Sequence, residues 1–177
     1  MKSNQLNVKI LIIGTRNAGK SSIANFLADM SLEVPDSMRP TDSLRILEYD
    51  LHDVDVNGTK SNVDVQLWDT SGNEKCVSFW PFWRKNADGV VFAYSNEDED
   101  YGKKLDYMHN YFVSQQGLSL RACLVCTLNS PADNSAKLPQ VFNKISQINV
   151  NLENNAEKFR QEFAKYIVSV ANNLTNK

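Results

Sequence analysis

Cysteine and histidine are both scarce in this chain. Three cysteines and two histidines in 177 residues are too few for a disulfide framework, and neither histidine has cysteines or carboxylates at metal-ligand spacing. The odd cysteine count suits a reducing compartment. Basic residues are not in excess: 19 Lys and Arg stand against 21 Asp and Glu, for a net charge of -2 and a pI near 5.7. That balance leaves no broad footprint for nucleic acid or an anionic membrane. No apolar run is long enough to span a bilayer. The start, "MKSNQLN", lacks the pattern of a secretion signal, and the end, "VANNLTNK", holds no cysteine, so neither a signal peptide nor a prenyl anchor is expected. No Ser-His-Asp set and no pair of catalytic carboxylates stands out.

The remaining composition, 42% hydrophobic and 23% charged, is that of one ordinary globular domain with a sizeable core. We read residues 1–177 as a single domain. "VKILII" (8–13) is a short β-branched strand. Ile23, Phe26, Leu27 and Met30 repeat at helical spacing, and 31–43, with two prolines, reads as a loop. Alternating Leu47, Tyr49, Leu51 and Val63, Val65, Leu67 flank Asn57-Gly58, a strong hairpin signal. "GVVFAYS" (89–95), "ACLVCTL" (122–128) and a weak stretch near Ile145–Val150 complete six strands. Helical faces fall at Tyr101, Leu105, Met108, Phe112 and at Phe159, Phe163, Ile167, Val170, Leu174, the latter opened by Asn154 and Glu157 as a capping pair. Strands alternating with helices predict an α/β fold: a mainly parallel six-stranded sheet with one antiparallel hairpin strand and helices on both faces.

Chemistry concentrates in "GTRNAGKS", Gly14 to Ser21, which matches the P-loop pattern in full between a strand and an amphipathic helix. Backbone N–H groups over Asn17, Ala18, Gly19, Lys20, Ser21 and Ser22 are expected to cradle phosphates at a helix N-terminus. The Lys20 ammonium reaches for the β- and γ-phosphates and the Ser21 hydroxyl for Mg²⁺. Downstream, Thr41 in the loop after the first helix, Asp69 at a strand end and Gly72 in "DTSG" follow in the order a switch requires. Thr41 would ligate Mg²⁺, Asp69 would hold the metal through water, and the Gly72 N–H would meet the γ-phosphate. The loops at about 31–43 and 70–86 are thus read as switches I and II.

These elements, with "IANFLAD", "RPTDSLRILEYD", "LWDTSGNEKCVSFWPFW" and "NLENNAEKFRQEFAKYI", resemble the Rab-like small GTPases of intraflagellar transport, within the Ras superfamily. The resemblance spans nearly the whole chain. It implies a P-loop NTPase fold, GTP or GDP with Mg²⁺ as cofactors, and a subunit of intraflagellar transport complex B. Such a subunit docks on coiled-coil core subunits, works in building cilia or flagella, and resides in the cytoplasm, at the organelle's base and within it. No nucleic acid or lipid anchor is implied, and the chain would be monomeric alone. The Ras superfamily's base-reading Asn-Lys-x-Asp falls on Thr127-Leu128-Asn129-Ser130, which has no acid. Thr127, Asn129 and Val150, the last in the loop before the closing helix, are the remaining base-side positions. Asp133 substitutes for the missing acid only if its loop folds back, and "SAK" (135–137) comes too soon after the strand to be the family's last motif.

Two departures bear on catalysis. Asn73 stands where most small GTPases place a water-orienting Gln, one methylene longer, and Arg16 puts a bulky side chain in the P-loop. Positioning is nearly all that such a site contributes, so both predict at most very slow hydrolysis. Arg16 as a built-in arginine finger is the counter-reading. An active Rab-like switch in vesicle or cargo traffic, an ATP-directed phosphotransferase and a nucleotide-free scaffold stay open as alternatives. "SFWPFW" (78–83) offers Trp80, Phe82 and Trp83 either to the core or to a partner. "NEDEDYGKK" (96–104) reads as a solvated helix start. His52 and His109 read as surface or hairpin residues, and Cys123/Cys126 as buried strand residues rather than a redox pair.

Overall fold

The computed structural model describes residues 4–29, 42–128 and 138–176. Six strands form one sheet: β1 (Asn4–Gly14), β2 (Leu44–Val56), β3 (Thr59–Thr70), β4 (Gly89–Ala93), β5 (Cys123–Leu128) and β6 (Ser146–Val150), in spatial order β2-β3-β1-β4-β5-β6. Only the β2–β3 pair is antiparallel, as the Asn57-Gly58 turn requires. Four α-helices accompany them: α1 (Lys20–Leu27), α2 (Trp80–Arg84), α3 (Tyr101–Phe112) and α4 (Ala156–Thr175).

Strand alternation divides the core in two. Val8, Ile10 and Ile12 of β1 join Val63, Val65 and Leu67 of β3 on the face covered by α1 and α4. Leu11 and Ile13 point the other way, with Trp68, Val90 and Phe92, under α2 and α3. Cys123 and Cys126 are three residues apart and therefore belong to opposite faces. Burial pushes the Cys123 thiol up to about 12 and the Cys126 thiol up as well, which suits two strand residues and not a redox pair.

One bulge sets the register of the hairpin. From the turn outward the pairs run Val56↔Thr59, Asp55↔Lys60, Val54↔Ser61, then shift by one residue before Leu51↔Val63. Asp53, with φ of +53°, takes the extra residue. The Asn62 side chain accepts its N–H at 3.1 Å. Without that bulge Ile46 would oppose Asp69, and Leu47, Tyr49 and Leu51 would leave the core face. With it, Arg45 opposes Asp69.

Two local expectations are corrected. The last helix begins at Ala156 with Asn155 at its cap position and no side-chain cap. Asn154 and Glu157 therefore form no capping box; instead the Asn151 carboxamide accepts the N–H groups of Glu153 and Asn154. His109 is buried rather than exposed: it lies one residue off the apolar stripe of α3, among Phe92 and Phe142 at ring distances of 6.0 and 5.6 Å. His52 is exposed beside the bulge.

The aromatic stretch divides by helical period. Trp80 and Trp83 are three residues apart on one face of α2 and both are buried, at 7% and 1% exposure. Trp80 packs against Tyr107, Tyr111 and Phe112 of α3. Of the two readings, core or partner, these two tryptophans take the core. Phe79 and Phe82, on the other face, are 48% and 60% exposed.

Candidate functional site

The site forms where β1 runs out. Gly14 has φ of +151°, and a side chain there would collide with the Ala93 carbonyl, 1.7 Å from an added Cβ. Glycine thus lets β1 end flush against β4, and the loop turns back toward α1. Asn17 (φ +56°) and Gly19 (φ +81°) take left-handed conformations that curl the backbone. Gly19 is also pressed against the Leu128 side chain, so this loop touches the end of β5. Arg16 and Asn17 are exposed, whereas Thr15, Ala18 and Lys20 are buried.

Lys20 opens α1 and folds its side chain back under the loop. Its ammonium donates to the carbonyls of Thr15 at 2.6 Å and Gly14 at 3.3 Å. Burial lowers its pKa to about 8, with Asp69 pulling the other way. A buried ammonium of this kind is held ready for an anion.

Ser21 Oγ donates to Asp69 Oδ2 at 2.7 Å, so the helix start and the end of β3 meet on one carboxylate. Asp69 is fully buried. Its oxygen also accepts from Arg45, Nε at 3.1 Å and Nη2 at 2.9 Å, and Arg45 Nη2 reaches Asn25 Oδ1 of α1 at 2.9 Å. Hydroxyl and carboxylate are the oxygen donors that suit Mg²⁺; a guanidinium on the same oxygen is an extra cation in that neighbourhood. Sequence reasoning passed over Arg45, although alternation from Leu47 puts it on the face of Val63, Val65 and Leu67.

Gly72 closes the site from the third side. A Cβ there would lie 2.9 Å from both Arg16 N and Lys20 Nζ, and 3.0 Å from Thr15 C. The segment after β3 therefore rests directly on the phosphate-type loop. Asn73 turns away into local structure: its carboxamide oxygen accepts the Lys75 N–H at 3.1 Å and caps the 3₁₀ turn Glu74–Phe79. Beyond it, a cavity of about 530 Å³ is lined by Thr15, Arg16, Gly72, Val77, Trp80 and Tyr107 among others.

The base side is less complete. Thr127 Oγ1 lies 3.5 Å from Asn149 Oδ1, joining the ends of β5 and β6. Val150 is wholly buried and paired with Leu128, so its side chain belongs to the core and cannot read a base, a correction to its expected place in a loop. Thr41, Asn129, Ser130, Asp133 and 135–137 lie outside the described residues. Among the described residues no helix is long and apolar enough to cross a membrane.

Residues 9–130 match the family model of the Roc, or Ras of Complex, domain of DAPkinase. The intraflagellar transport protein 22 homolog of Danio rerio is 35% identical, over 95% of this chain and 92% of that protein. The Homo sapiens homolog is 32% identical, over 96% and 93%. Among solved structures, T. brucei IFT22/74/81 bound to GTP superposes with a TM-score of 0.71 at 25% identity, over 97% of this chain and 99% of that one. T. brucei IFT22 bound to GDP gives 0.63 at 26%, over 92% and 97%.

Proposed function

We propose, since this chain belongs to the intraflagellar transport protein 22 family of Ras-like small GTPases, that it is a guanine-nucleotide-binding subunit of the intraflagellar transport machinery. The observation that carries this is the convergence of Lys20, Ser21, Asp69 and Gly72 on one loop. Asn17 to Ser22 hold the phosphates through backbone N–H groups, and Lys20 gives up its carbonyl partners to neutralise them. Ser21, Thr41 and, through water, Asp69 would hold Mg²⁺, which would supply neutralisation of phosphate charge. The segments 31–43 and 70–86 act as the two loops that feel the terminal phosphate. GTP and GDP binding in T. brucei IFT22 supports the choice of base.

Hydrolysis is slow or absent in this reading. The Asn73 carboxamide is one methylene too short and its oxygen is engaged in capping, so no side chain of the described segment orients a water. The chain works through its state and its contacts, docking on coiled-coil subunits of complex B in the cilium or flagellum and at its base. Phe82, with Trp68 and Ile46, offers the apolar anchor for that contact.

The test is the nucleotide carried by the purified protein. Release by denaturation followed by chromatography is expected to give GDP or GTP. Absence of nucleotide, with no rebinding of either in Mg²⁺, overturns the reading; ATP in their place overturns the base assignment.

A further inference from the structure

We propose that Arg45 is a resident counter-cation for Asp69 that competes with Mg²⁺, so that this chain keeps its nucleotide with little dependence on divalent metal. The proposal rests on the nucleotide-binding reading above and adds a property that reading does not require.

The geometry argues for it in three steps. First, Asp69 is fully buried, and burying a carboxylate is costly unless an opposite charge is paired with it. Second, the partner is built into the backbone: the Asp53 bulge fixes the register that sets Arg45 directly opposite Asp69 on the same face. Third, the guanidinium is held by groups from two elements. Nε and Nη2 donate to Asp69 Oδ2 at 3.1 and 2.9 Å, and Nη2 also to Asn25 Oδ1 at 2.9 Å. A guanidinium stays charged at any working pH and presents its donors as a rigid fork, so little freedom is lost in holding it there.

Ser21 Oγ donates to the same oxygen at 2.7 Å. Three donors therefore crowd one oxygen of the carboxylate expected to hold the metal's water. A divalent ion entering beside Ser21 meets the positive Arg45 on a shared ligand, and like charges on one carboxylate repel. Metal binding must displace the guanidinium or accept a weakened hold. With the metal removed, Asp69 still has its cation, so the junction of α1 and β3 that supports the phosphate loop stays neutralised.

The experiment uses the whole chain loaded with a fluorescent GDP analogue. Release into excess unlabelled GDP is followed at saturating Mg²⁺ and in EDTA, and Mg²⁺ is titrated against release rate. For the wild type, EDTA is expected to speed release by less than about tenfold. For Arg45→Ala the EDTA effect is expected to be about tenfold larger than in the wild type, and the half-maximal Mg²⁺ concentration about tenfold lower, as for the loss of one charge-assisted bond. An equal EDTA effect and an unchanged or raised Mg²⁺ requirement in Arg45→Ala overturn the proposal. Should that variant not fold, Arg45→Gln removes the charge while keeping an unbranched polar side chain and carries the same expected and overturning results. Failure of the wild type itself to bind the analogue, with or without Mg²⁺, overturns the underlying nucleotide reading and is recognisable before any variant is made.

Discussion

Phe82 packs against Trp68 with ring centroids 5.7 Å apart and ring planes tilted by 46°, an exposed ring of α2 beside a nearly buried one of β3. Ile46, paired with Trp68 across the hairpin, continues the apolar strip at 48% exposure. The strip joins the segment after Gly72 to the β2–β3 hairpin, so a partner seated on it contacts both elements that lead away from the nucleotide loop.

Phe82 and Trp83 therefore separate binding from folding. Trp83→Ala empties a site that is 1% exposed and is expected to cost about 3–5 kcal/mol of stability. Phe82→Ala changes a residue that is 60% exposed and should move stability by no more than about 1 kcal/mol. It should weaken binding to the coiled-coil partner proposed above by about thirtyfold. Chemical denaturation and pull-down titration measure the two effects; wild-type partner affinity in Phe82→Ala would place the interface elsewhere.

The bulge at Asp53 makes a backbone prediction. At φ +53° a β-branched residue is strained, so Asp53→Val is expected to destabilise by about 1–2 kcal/mol. Asp53→Gly should be neutral or slightly stabilising, because glycine takes that conformation freely. Deleting Asp53 leaves one residue opposite Asn62 and restores a regular hairpin with Arg45 still facing Asp69. Thermal melts of the three variants test this order; a deletion more damaging than Asp53→Val would mean the bulge has a role of its own.

The sheet and the phosphate loop were legible because both rest on local pattern: β-branched runs mark strands, and GxxxxGKS fixes a loop by spacing alone. The hairpin register was harder to read. The phase of the apolar residues changes between Leu51 and Val54, which signals a bulge, but only the paired strands show that Arg45 thereby reaches Asp69. The division of "SFWPFW" into Trp80/Trp83 and Phe79/Phe82 was open to a three-residue period over a helix of five residues. A segment that short gives little else to recognise it by. His109 lies where the packing of α3 buries a position that residue type assigns to the surface, and Val150 is drawn into a loop only by the match to the superfamily's last motif, although the strand read at Ile145–Val150 ends on it.

In the proposed reading Gly72 couples the terminal phosphate to the segment that follows. With only 2.9 Å between an added Cβ and both Arg16 N and Lys20 Nζ, Gly72→Ala must lift the segment off the loop. Triphosphate affinity is expected to fall about tenfold, since the N–H aimed at the γ-phosphate moves with it. Diphosphate affinity should change by less than about threefold, because the loop residues that hold it stay in place. Competition titrations with GTP and GDP decide; equal losses for both nucleotides would mean that the methyl group disturbs Lys20 rather than the γ-phosphate contact.

His109 predicts how stability depends on acid. It sits among Phe92 and Phe142, with Ser114 Oγ 3.4 Å from Nδ1 and no partner for Nε2 among the described residues. Burial lowers its pKa below the ordinary 6.5, and the nearby Asp106 carboxylate opposes this without reversing it. The unfolded chain therefore takes up its proton first as pH falls. Between the ordinary value and the lowered one the unfolded state binds more protons, so stability is complete above about pH 6.5 and declines below it. His109→Phe removes the titration and keeps an aromatic ring in the same contacts, so its denaturation midpoint should fall less than that of the wild type from pH about 7 to about 5. Parallel curves for the two proteins over that window would assign the acid sensitivity to other groups.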